Sequence, residues 1–336
     1  MTITTDAGVL DAASPPPSDA GDTSIPDAGP LTPPAELVHY LTGSDIDIQA
    51  SPQGPGLILM GGSREVDAAF EWWVPRIAGG DIVILRTSGS DGYNDYLYSE
   101  IGGADSVKTM LVTSRELAND PYVANQIRNA EGIFLAGGDQ STYLANWKDT
   151  ATEDALNYAW QRGAIIGGTS AGLAVLGEFI FAAYEGSIDS ETALSDPFHP
   201  RVALEQGFLN FAPLKNIITD SHFGQRDRMG RLVSFLARLS TSYGAVNPIG
   251  LGIDERTALV IDSSSRGLVM GQGYIYLVRS LSAPEICIEG QPLTHTGLDY
   301  VRLSNGDQIQ FPVDTNQTSN QSMAVNNGVL TPRQPY

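Results

Sequence analysis

The chain of 336 residues carries 39 acidic residues against 19 Lys and Arg, and this formal net charge of -20 disfavours nucleic acid and anionic membrane surfaces as partners. One cysteine and four scattered histidines argue against an internal disulfide, a multi-thiolate metal site and a histidine-based metal centre, so we expect no metal and no cofactor. No apolar run is long enough to span a bilayer, and the hydrophobic fraction of 42% is sufficient for one large domain or two small ones.

Residues 1–35 differ in composition from the rest of the chain. They are rich in Pro, Ala, Asp, Gly, Ser and Thr, they repeat the triplet Asp-Ala-Gly, and no Lys or Arg occurs before Arg64. Such a segment cannot bury enough apolar surface to fold, which predicts a disordered linker, and it lacks the basic and apolar regions of a signal peptide. Linkers of this type often tether a catalytic domain to an envelope or secretion element, which favours an extracellular enzyme over a cytoplasmic one.

From Gly56 onward, short apolar runs alternate with stretches that carry apolar residues at helical spacing. This alternation predicts βαβ units, and therefore an α/β fold around a mostly parallel sheet whose ligands bind beyond the carboxyl ends of the strands. Glycine-rich turns follow several of these runs, so the active site is expected at their shared edge. The predicted strands are 57–60, 82–85, 110–112, 133–135 and 164–166, and the predicted helices between them are 65–77, 95–101, 121–130 and 152–162.

The sequence after Phe181 is less regular. Residues 182–211 predict a long insertion or flap, and a strand over 216–219 precedes a helix that begins in the region of Arg228. Short runs at 258–261, 274–278 and 300–303 predict an antiparallel β extension that continues and flanks the sheet. We expect a single catalytic domain over residues 36–313 and a polar, frayed C-terminal tail over residues 314–336.

The segment Gly168-Thr169-Ser170-Ala171-Gly172 follows a predicted strand and leads into a helix-like run. Small residues around a serine in this context allow a sharp turn that exposes the hydroxyl at the sheet edge and lets a substrate carbonyl approach closely. The pattern favours Ser170 as a nucleophile over a glycine-rich turn that only closes a buried strand.

A serine nucleophile requires a general base. His222 follows a predicted strand, whereas His39, His199 and His295 lie near the linker, in the insertion and in a polar turn. We therefore take His222 as the candidate base and expect the other three histidines to be surface residues.

The base in turn requires an acid that orients it. Asp254 and Glu255 follow another predicted strand, and strand alternation places them on opposite faces, so that one of them reaches the site. Asp220 is a rival candidate. The chain order Ser, His, acid differs from the order Ser, acid, His of α/β-hydrolases, which disfavours an esterase or lipase.

Two backbone amides are candidates for an oxyanion hole. One is the N–H of Ala171, directly after the candidate nucleophile. The other is the N–H of Gly138, in the glycine-rich turn that follows a neighbouring predicted strand. Such donors stabilise the negative charge that develops on a carbonyl oxygen under attack.

Three arginines, Arg226, Arg228 and Arg231, follow His222 at the start of a predicted helix. Cations at this end oppose the helix dipole, each at a cost of about half a kcal/mol. The cluster indicates carboxylate binding through bidentate guanidinium contacts. The alternative is ion pairing with the abundant surface acids, such as the adjacent Asp227, and the sequence leaves both open.

These motifs occur in a fixed order, and together they make residues 56–278 resemble the cyanophycinases, serine peptidases related to dipeptidase E. The motifs that carry the resemblance are Gly137-Gly138-Asp139-Gln140, Gly168-Thr169-Ser170-Ala171-Gly172, Asp220-Ser221-His222-Phe223 with the three arginines, and Gly252-Ile253-Asp254-Glu255. Each motif alone is weak, but four in order with compatible spacing are specific.

The resemblance implies a three-layer α/β/α fold like that of the class I glutamine amidotransferases, with serine in place of cysteine. It implies a triad of Ser170, His222 and Glu255, and a substrate pocket lined by Gln140, Asp220 and the three arginines. The implied substrate is cyanophycin, a poly-aspartate backbone with arginine on each side-chain carboxyl, which is cleaved to β-Asp-Arg dipeptides. Ser221 is a candidate pocket residue that stands where cyanophycinases often carry glutamine.

Two other functions remain open from the sequence. The first is a dipeptidase E-like exopeptidase acting on short Asp-X peptides, against which the insertion and the arginine cluster favour a polymeric or arginine-bearing substrate. The second is a non-catalytic ligand-binding protein on the same fold, against which the serine, histidine and glutamate positions argue. The sequence also leaves open whether the protein forms a homodimer.

Overall fold

The computed structural model describes residues 31–48, 50–313 and 321–336. The predicted linker lies outside the described residues up to position 30, and Pro33–Tyr336 form one unit around a shared core. Within that unit, strands and helices alternate in the first half of the chain and strands dominate the second half.

The strands of the described residues are β1 (Val38–Gly43), β2 (Gly56–Met60), β3 (Asp81–Arg86), β4 (Ser106–Leu111), β5 (Gly132–Leu135), β6 (Ile165–Thr169), β7 (Phe179–Phe181), β8 (Leu204–Gln206), β9 (Ile217–Asp220), β10 (Ile249–Ile253), β11 (Thr257–Ile261), β12 (Arg266–Gly271), β13 (Ile275–Ser280), β14 (His295–Leu303), β15 (Gln308–Gln310), β16 (Gln321–Asn326) and β17 (Val329–Thr331). The α-helices are α1 (Asp67–Trp73), α2 (Arg115–Ala118), α3 (Pro121–Asn129), α4 (Gln140–Trp147), α5 (Ala151–Arg162), α6 (Ala171–Ala174), α7 (Ser190–Ser195) and α8 (Met229–Ser242). The predicted helix over 95–101 is a π-helical turn, Tyr96–Ile101.

The first sheet has the strand order β1-β4-β3-β5-β6-β2-β11-β12-β15. Its central strands, from β4 to β2 in that order, pair in parallel, as the βαβ alternation predicts. The outer pairs are antiparallel. The parallel pairing is therefore confined to the centre of the sheet. The strands β11, β12 and β15 form an antiparallel flank, as the predicted extension implies, because a turn as short as the one between β11 and β12 cannot make a parallel crossover.

Helices cover both faces of this sheet, which confirms the three-layer arrangement. Leu57 and Leu59 of β2 pack into one core with α3, α4 and α5, whereas Ile58 and Met60 of the same strand pack into another core with α1. Because the strand is buried on both faces, its sequence is an apolar run rather than an alternation. Because β3, β5 and β6 are also buried on both faces, they and β2 can be predicted from their apolar runs in the sequence.

The second sheet has the strand order β17-β16-β14-β13-β10-β9-β7-β8. Here β9 pairs in parallel with β10 and with β7, and the other pairs are antiparallel. The predicted antiparallel extension is thus present, divided between the two sheets. Helix α8 lies against this second sheet and buries the face predicted from helical spacing, made of Leu232, Phe235, Leu236 and Leu239.

Two less regular segments contain more secondary structure than the sequence predicts. Residues 182–211, predicted as an insertion or flap, contain α7, whose N-terminal turn is capped by the Asp189 carboxylate accepting from Thr192 N at 2.8 Å, and β8, which pairs with β7. Residues 321–336 are not a frayed tail, because β16 pairs with β14 and buries Met323 and Val325. Met323 and Val325 lie on the face of β16 that is buried in the core, whereas Ala324 between them is only half-buried.

Candidate active site

Ser170 lies in the sharp turn between β6 and α6. Its backbone has φ 52° and ψ -111°, a conformation that L-residues rarely adopt and that is typical of strained functional turns. The turn requires glycine on both sides: a Cβ on Gly168 would lie 2.6 Å from the carbonyl carbon of Gly172. The strand–turn–helix prediction therefore matches the local structure, and it places the hydroxyl at the carboxyl end of β6.

His222 lies two residues beyond β9, also at positive φ (46°). Its backbone N–H donates to Gly61 O at 2.8 Å, which holds the residue against the turn after β2. Its Nε2 lies 2.8 Å from Ser170 Oγ. The predicted nucleophile and base are therefore in direct hydrogen-bond contact, although they come from different sheets.

Glu255 follows β10, and its Oε1 lies 2.7 Å from His222 Nδ1. The backbone N–H of Glu255 donates to Gln225 Oε1 at 2.8 Å, which positions the acid from the loop that follows the histidine. Asp254 faces the other way, where its carboxylate accepts from Gly224 N at 2.7 Å and Tyr274 N at 3.0 Å. Of the two acids that the sequence left open, the structure brings Glu255 to the histidine.

Burial and charge set the protonation of this series. Burial lowers the pKa of His222, and the Arg226 and Arg228 charges lower it further, whereas the hydrogen bond to Glu255 opposes both effects. The hydrogen bond from His222 lowers the pKa of Glu255. The imidazole is thus neutral at neutral pH, with Nδ1–H donating to the carboxylate and Nε2 free to accept the serine proton.

The two predicted oxyanion donors border Ser170. Ala171 is the first residue of α6, so its N–H has no partner within the helix. The Gly137-Gly138 turn lies against the serine, since a Cβ on Gly137 would be 3.6 Å from Ser170 Cβ. Among the described residues, the N–H of Gly138 has no backbone acceptor. Both amides are free to bind an oxyanion.

A cavity of about 430 Å³ opens beside Ser170 and His222. It contains the predicted pocket residues Gly138, Gln140, Asp220, Ser221, Arg226, Arg228 and Arg231. Glu255 lies behind His222 and does not line it. The site predicted from separate motifs is therefore one contiguous pocket next to the Ser–His pair.

The three arginines of this pocket are not equivalent. Arg231 makes two contacts with the buried Asp220 carboxylate, Nε to Oδ2 at 2.8 Å and Nη2 to Oδ1 at 2.5 Å. Arg228 donates to Ser221 O at 2.7 Å and lies 3.3 Å from Asp220 Oδ1. Arg226 is exposed, and its side chain makes no hydrogen bond or ion pair within the described part of the chain. Two of the three arginines thus pair with a buried acid, and the side chain of Arg226 remains available for a carboxylate.

Sequence reasoning missed several residues of the site. Ser187 Oγ accepts from Arg231 Nη1 at 3.0 Å, and Phe181 O accepts from Gln140 Nε2 at 3.4 Å. Phe181 is the last residue of β7, and Ser187 belongs with Tyr184 to the region predicted as an insertion, which lines one part of the cavity. The polarity of that stretch was the available signal, but it did not indicate which residues turn inward.

No group of three or more His, Cys, Asp or Glu within the described ranges is arranged to hold a metal ion. Likewise, no helix in those ranges has the length and apolar character needed to cross a membrane.

A serine, a histidine and a carboxylate in hydrogen-bonded series, beside free backbone amides on an α/β fold, define a site of the serine hydrolase class. The model of peptidase family S51 matches residues 97–269, just over half of the chain. The chain belongs to peptidase family S51, and this membership confirms the predicted class of serine peptidase.

Relatives agree with that assignment. The cyanophycinase of Trichormus variabilis is 29% identical over 215 residues, which cover 62% of this chain and 66% of that protein. The cyanophycinase of Synechococcus elongatus is 31% identical over 187 residues, which cover 55% of this chain and 52% of that protein. The matched region thus spans between about half and two thirds of these relatives. A crystal structure of a peptidase from an acI-B1 Actinobacterium has a TM-score of 0.54 at 19% identity, covers 78% of this chain and 99% of that chain, and supports the fold alone.

Proposed function

We propose that the protein is a serine-type peptidase that hydrolyses the backbone amides of cyanophycin and releases β-Asp-Arg dipeptides. The observation that carries the proposal is the series Ser170 Oγ to His222 Nε2 (2.8 Å) and His222 Nδ1 to Glu255 Oε1 (2.7 Å), next to a cavity that presents an available guanidinium. The similarity to two cyanophycinases supports the choice of substrate.

In the proposed reaction, the same groups act first in acylation of the serine and again in hydrolysis of the acyl-enzyme. His222 Nε2 accepts the proton of Ser170 as Oγ attacks the scissile carbonyl carbon, and the N–H groups of Gly138 and Ala171 stabilise the oxyanion. The imidazolium then protonates the departing backbone amine, the C–N bond breaks, and an acyl-enzyme remains. A water molecule gives its proton to His222 and attacks the ester, and the returning proton restores the serine hydroxyl. Glu255 stabilises the imidazolium and keeps Nδ1 protonated.

The cavity supports an aspartyl substrate because the side chain of Arg226 at its wall makes no hydrogen bond or ion pair within the described residues, so it can bind one carboxylate of the acyl part of the substrate. The Asp139 carboxylate, which also lines the cavity, accepts from Ser141 N at 2.9 Å. Arg228 and Arg231 are held by Asp220 and shape the floor of the pocket. The excess of acidic residues over the whole chain suits the guanidinium groups of the polymer.

The proposal is tested by incubating the protein with purified cyanophycin and with Asp-X dipeptides, and by identifying products by mass spectrometry. We expect β-Asp-Arg dipeptide from the polymer, no product from Ser170→Ala, and wild-type rates from Ser195→Ala, which changes an exposed serine away from the cavity. Cleavage of Asp-X dipeptides without cleavage of cyanophycin would assign the protein to a dipeptidase E-like activity instead.

A second measurement separates an enzyme from a binding protein. A serine-reactive phosphonate should label Ser170, because the hydrogen bond to His222 makes Oγ nucleophilic. Labelling should be absent in Ser170→Ala and strongly reduced in His222→Gln. If the wild-type protein binds cyanophycin but is neither labelled nor active, it is a binding protein on this fold.

A further inference from the structure

Arginines without a partner are concentrated around the triad. Within the described residues, Arg64, Arg201, Arg226, Arg256 and Arg333 have no side-chain hydrogen bond, ion pair or ring contact. Arg226 belongs to the pocket beside Ser170. Arg64 and Arg256 lie together in a separate cavity of about 240 Å³, which also contains Glu65 and Asp67. In a chain with a net charge of -20, these two arginines have no ion pair within the described residues, although two acids line the same cavity.

This second cavity is connected to the triad through the backbone. Arg256 directly follows Glu255, and its N–H donates to Gly62 O at 3.0 Å. Arg64 lies two residues beyond Gly62 in the turn after β2. A change at either arginine therefore lies close to the triad without removing any of its members.

The position of Gly62 shows how close the turn that carries Arg64 lies to the triad. A Cβ built on Gly62 would be 2.6 Å from both Cε1 and Nε2 of His222 and 3.2 Å from Ser170 Cβ. The backbone of Gly62 therefore lies against the edge of the imidazole that exchanges the proton. The cavity of about 430 Å³ that contains Gly138 and Asp220 also borders Ser170 and His222, and Gly62 is not among its lining residues. The turn after β2 thus borders the Ser170–His222 pair from outside that cavity.

We propose that Arg64 and Arg256 form a subsite for a carboxylate carried by the leaving part of the substrate, an inference that rests on the proposed peptidase function. In a cyanophycin chain, the unit released as the amine carries an arginine whose α-carboxylate is free. In a short aspartyl peptide, the leaving residue itself carries a free carboxylate. Both substrates present an anion that two unpaired guanidinium groups can bind through charge-assisted hydrogen bonds.

Among the described residues, the two acids of this cavity form no ion pair with its arginines, and each accepts a hydrogen bond from a tyrosine instead. Tyr93 OH donates to Glu65 Oε1, and Tyr96 OH donates to Asp67 Oδ1 at 2.6 Å. Burial raises the pKa of Glu65, and the hydrogen bond from Tyr93 opposes that rise. The two carboxyl groups are therefore held by tyrosines, and the guanidinium groups of Arg64 and Arg256 remain free for a ligand.

The test uses substrate pairs that differ by one charge. One pair consists of β-Asp-Arg oligomers whose leaving unit ends in arginine or in argininamide, and the other of Asp-Arg dipeptide and its C-terminal amide. The proteins are the wild type, Arg64→Gln, Arg256→Gln, the double variant, and Arg201→Gln as a control that removes an equally unpaired arginine outside both cavities.

Each single variant should lower kcat/KM for the carboxylate substrate by about three- to tenfold, mainly through KM, and leave the amide substrate within about twofold. The double variant should lose most of the preference for the carboxylate, and Arg201→Gln should retain it. Equal ratios in all proteins would overturn the subsite while leaving the peptidase intact. Absence of hydrolysis of both pairs by the wild type would overturn the proposed function, and the subsite with it.

Discussion

At the scale of single residues, the position of Glu255 determines which nitrogen of His222 faces Ser170. A carboxylate accepts only, so a 2.7 Å contact requires that Nδ1 carry the proton and leaves Nε2 as the acceptor for the serine hydroxyl. The same contact stabilises the charge that appears on the ring when the proton is transferred. Glu255 therefore acts through orientation and charge together.

Replacing Glu255 by glutamine should remove the orientation and the charge that Glu255 supplies to His222 without disturbing the fold. The amide can donate to Nδ1 and favour the wrong tautomer, so we expect kcat to fall by about 10³- to 10⁴-fold. Glu255 is partly exposed and its side chain holds no core element, so the melting temperature should change little. The matched control is Glu116→Gln, which changes an exposed glutamate of α2. Retention of kcat within about tenfold by Glu255→Gln would show that another group orients the histidine.

The charge of Arg226 should be visible in the pH profile. Its proximity helps to lower the pKa of His222, so the wild-type acid limb of kcat/KM should have its midpoint below the ordinary value of 6.5. In Arg226→Gln, the protonated ring is less disfavoured, the pKa rises, and the limb should move to higher pH. Measuring the rate of phosphonate labelling of Ser170 against pH removes substrate charge from the comparison, and Arg201→Gln is the control. A limb that stays in place or moves to lower pH would contradict this account.

At the scale of secondary-structure elements, whether a strand can be predicted from the sequence depends on how its residues are buried. The central strands β2, β3, β5 and β6 were predicted because both of their faces are covered and their residues form apolar runs. The triad can also be predicted, because Ser170, His222 and Glu255 each lie within two residues of the end of a buried strand, β6, β9 or β10. Strand β16 is not predicted from the sequence because its apolar run, Met323-Ala324-Val325, is only three residues long and lies in a segment that is polar on average.

Contacts between elements that are distant in sequence cannot be predicted from local sequence patterns. The pairing of Asp220 with Arg231 depends on how α8 lies against β9, and no local pattern encodes that angle. The contact of Tyr336 is a second case. Its hydroxyl accepts from Met229 N at 2.8 Å and donates to Asp227 Oδ1 at 2.8 Å, while its ring lies near Phe223. Tyr336 thus joins the C-terminal segment to the loop that presents Arg226.

Removal of one oxygen tests that connection. Tyr336→Phe keeps the ring contact but leaves Asp227 and Met229 N without their partner, so we expect the free energy of unfolding to fall by about 1–2 kcal/mol. If the loop then moves, KM for the aspartyl substrate should rise by about threefold or more, while kcat changes less. Tyr274→Phe is the control, because the Tyr274 hydroxyl makes no hydrogen bond among the described residues. An unchanged KM together with reduced stability would show that Tyr336 only holds the fold.

At the scale of the whole molecule, the site lies where the two sheets meet. Ser170 follows β6 of the first sheet, whereas His222 and Glu255 follow β9 and β10 of the second. Helix α6 connects them, since Thr219 Oγ1 of β9 donates to Leu173 O at 2.9 Å. The 2.8 Å contact between Ser170 and His222 therefore depends on the packing between sheets, so loss of the second sheet should abolish activity even with Ser170 in place.

The second sheet contains a buried titratable group that should control its stability. His295, predicted as a surface histidine, is fully buried in β14; its Nε2 lies 2.8 Å from Ser280 Oγ, and its Nδ1 has no partner among the described residues. The prediction was wrong because the polar turn around it is covered by neighbouring strands. Burial lowers the pKa of His295 from 6.5 to about 4.

Because the unfolded chain binds a proton at this residue near pH 6.5 and the folded one only near pH 4, the stabilising effect is fully present above pH 6.5 and is lost as the pH falls toward 4. A shift of this size corresponds to a loss of about 3 kcal/mol over that window. Urea unfolding of the wild type and of His295→Gln, measured between pH 4 and pH 8, should show a flatter decline for the variant below pH 6.5 and parallel behaviour above pH 7. Part of the slope should remain, because burial also lowers the pKa of His39 and of His222. Identical slopes in the two proteins below pH 6.5 would show that His295 protonates in the folded state as readily as in the unfolded one.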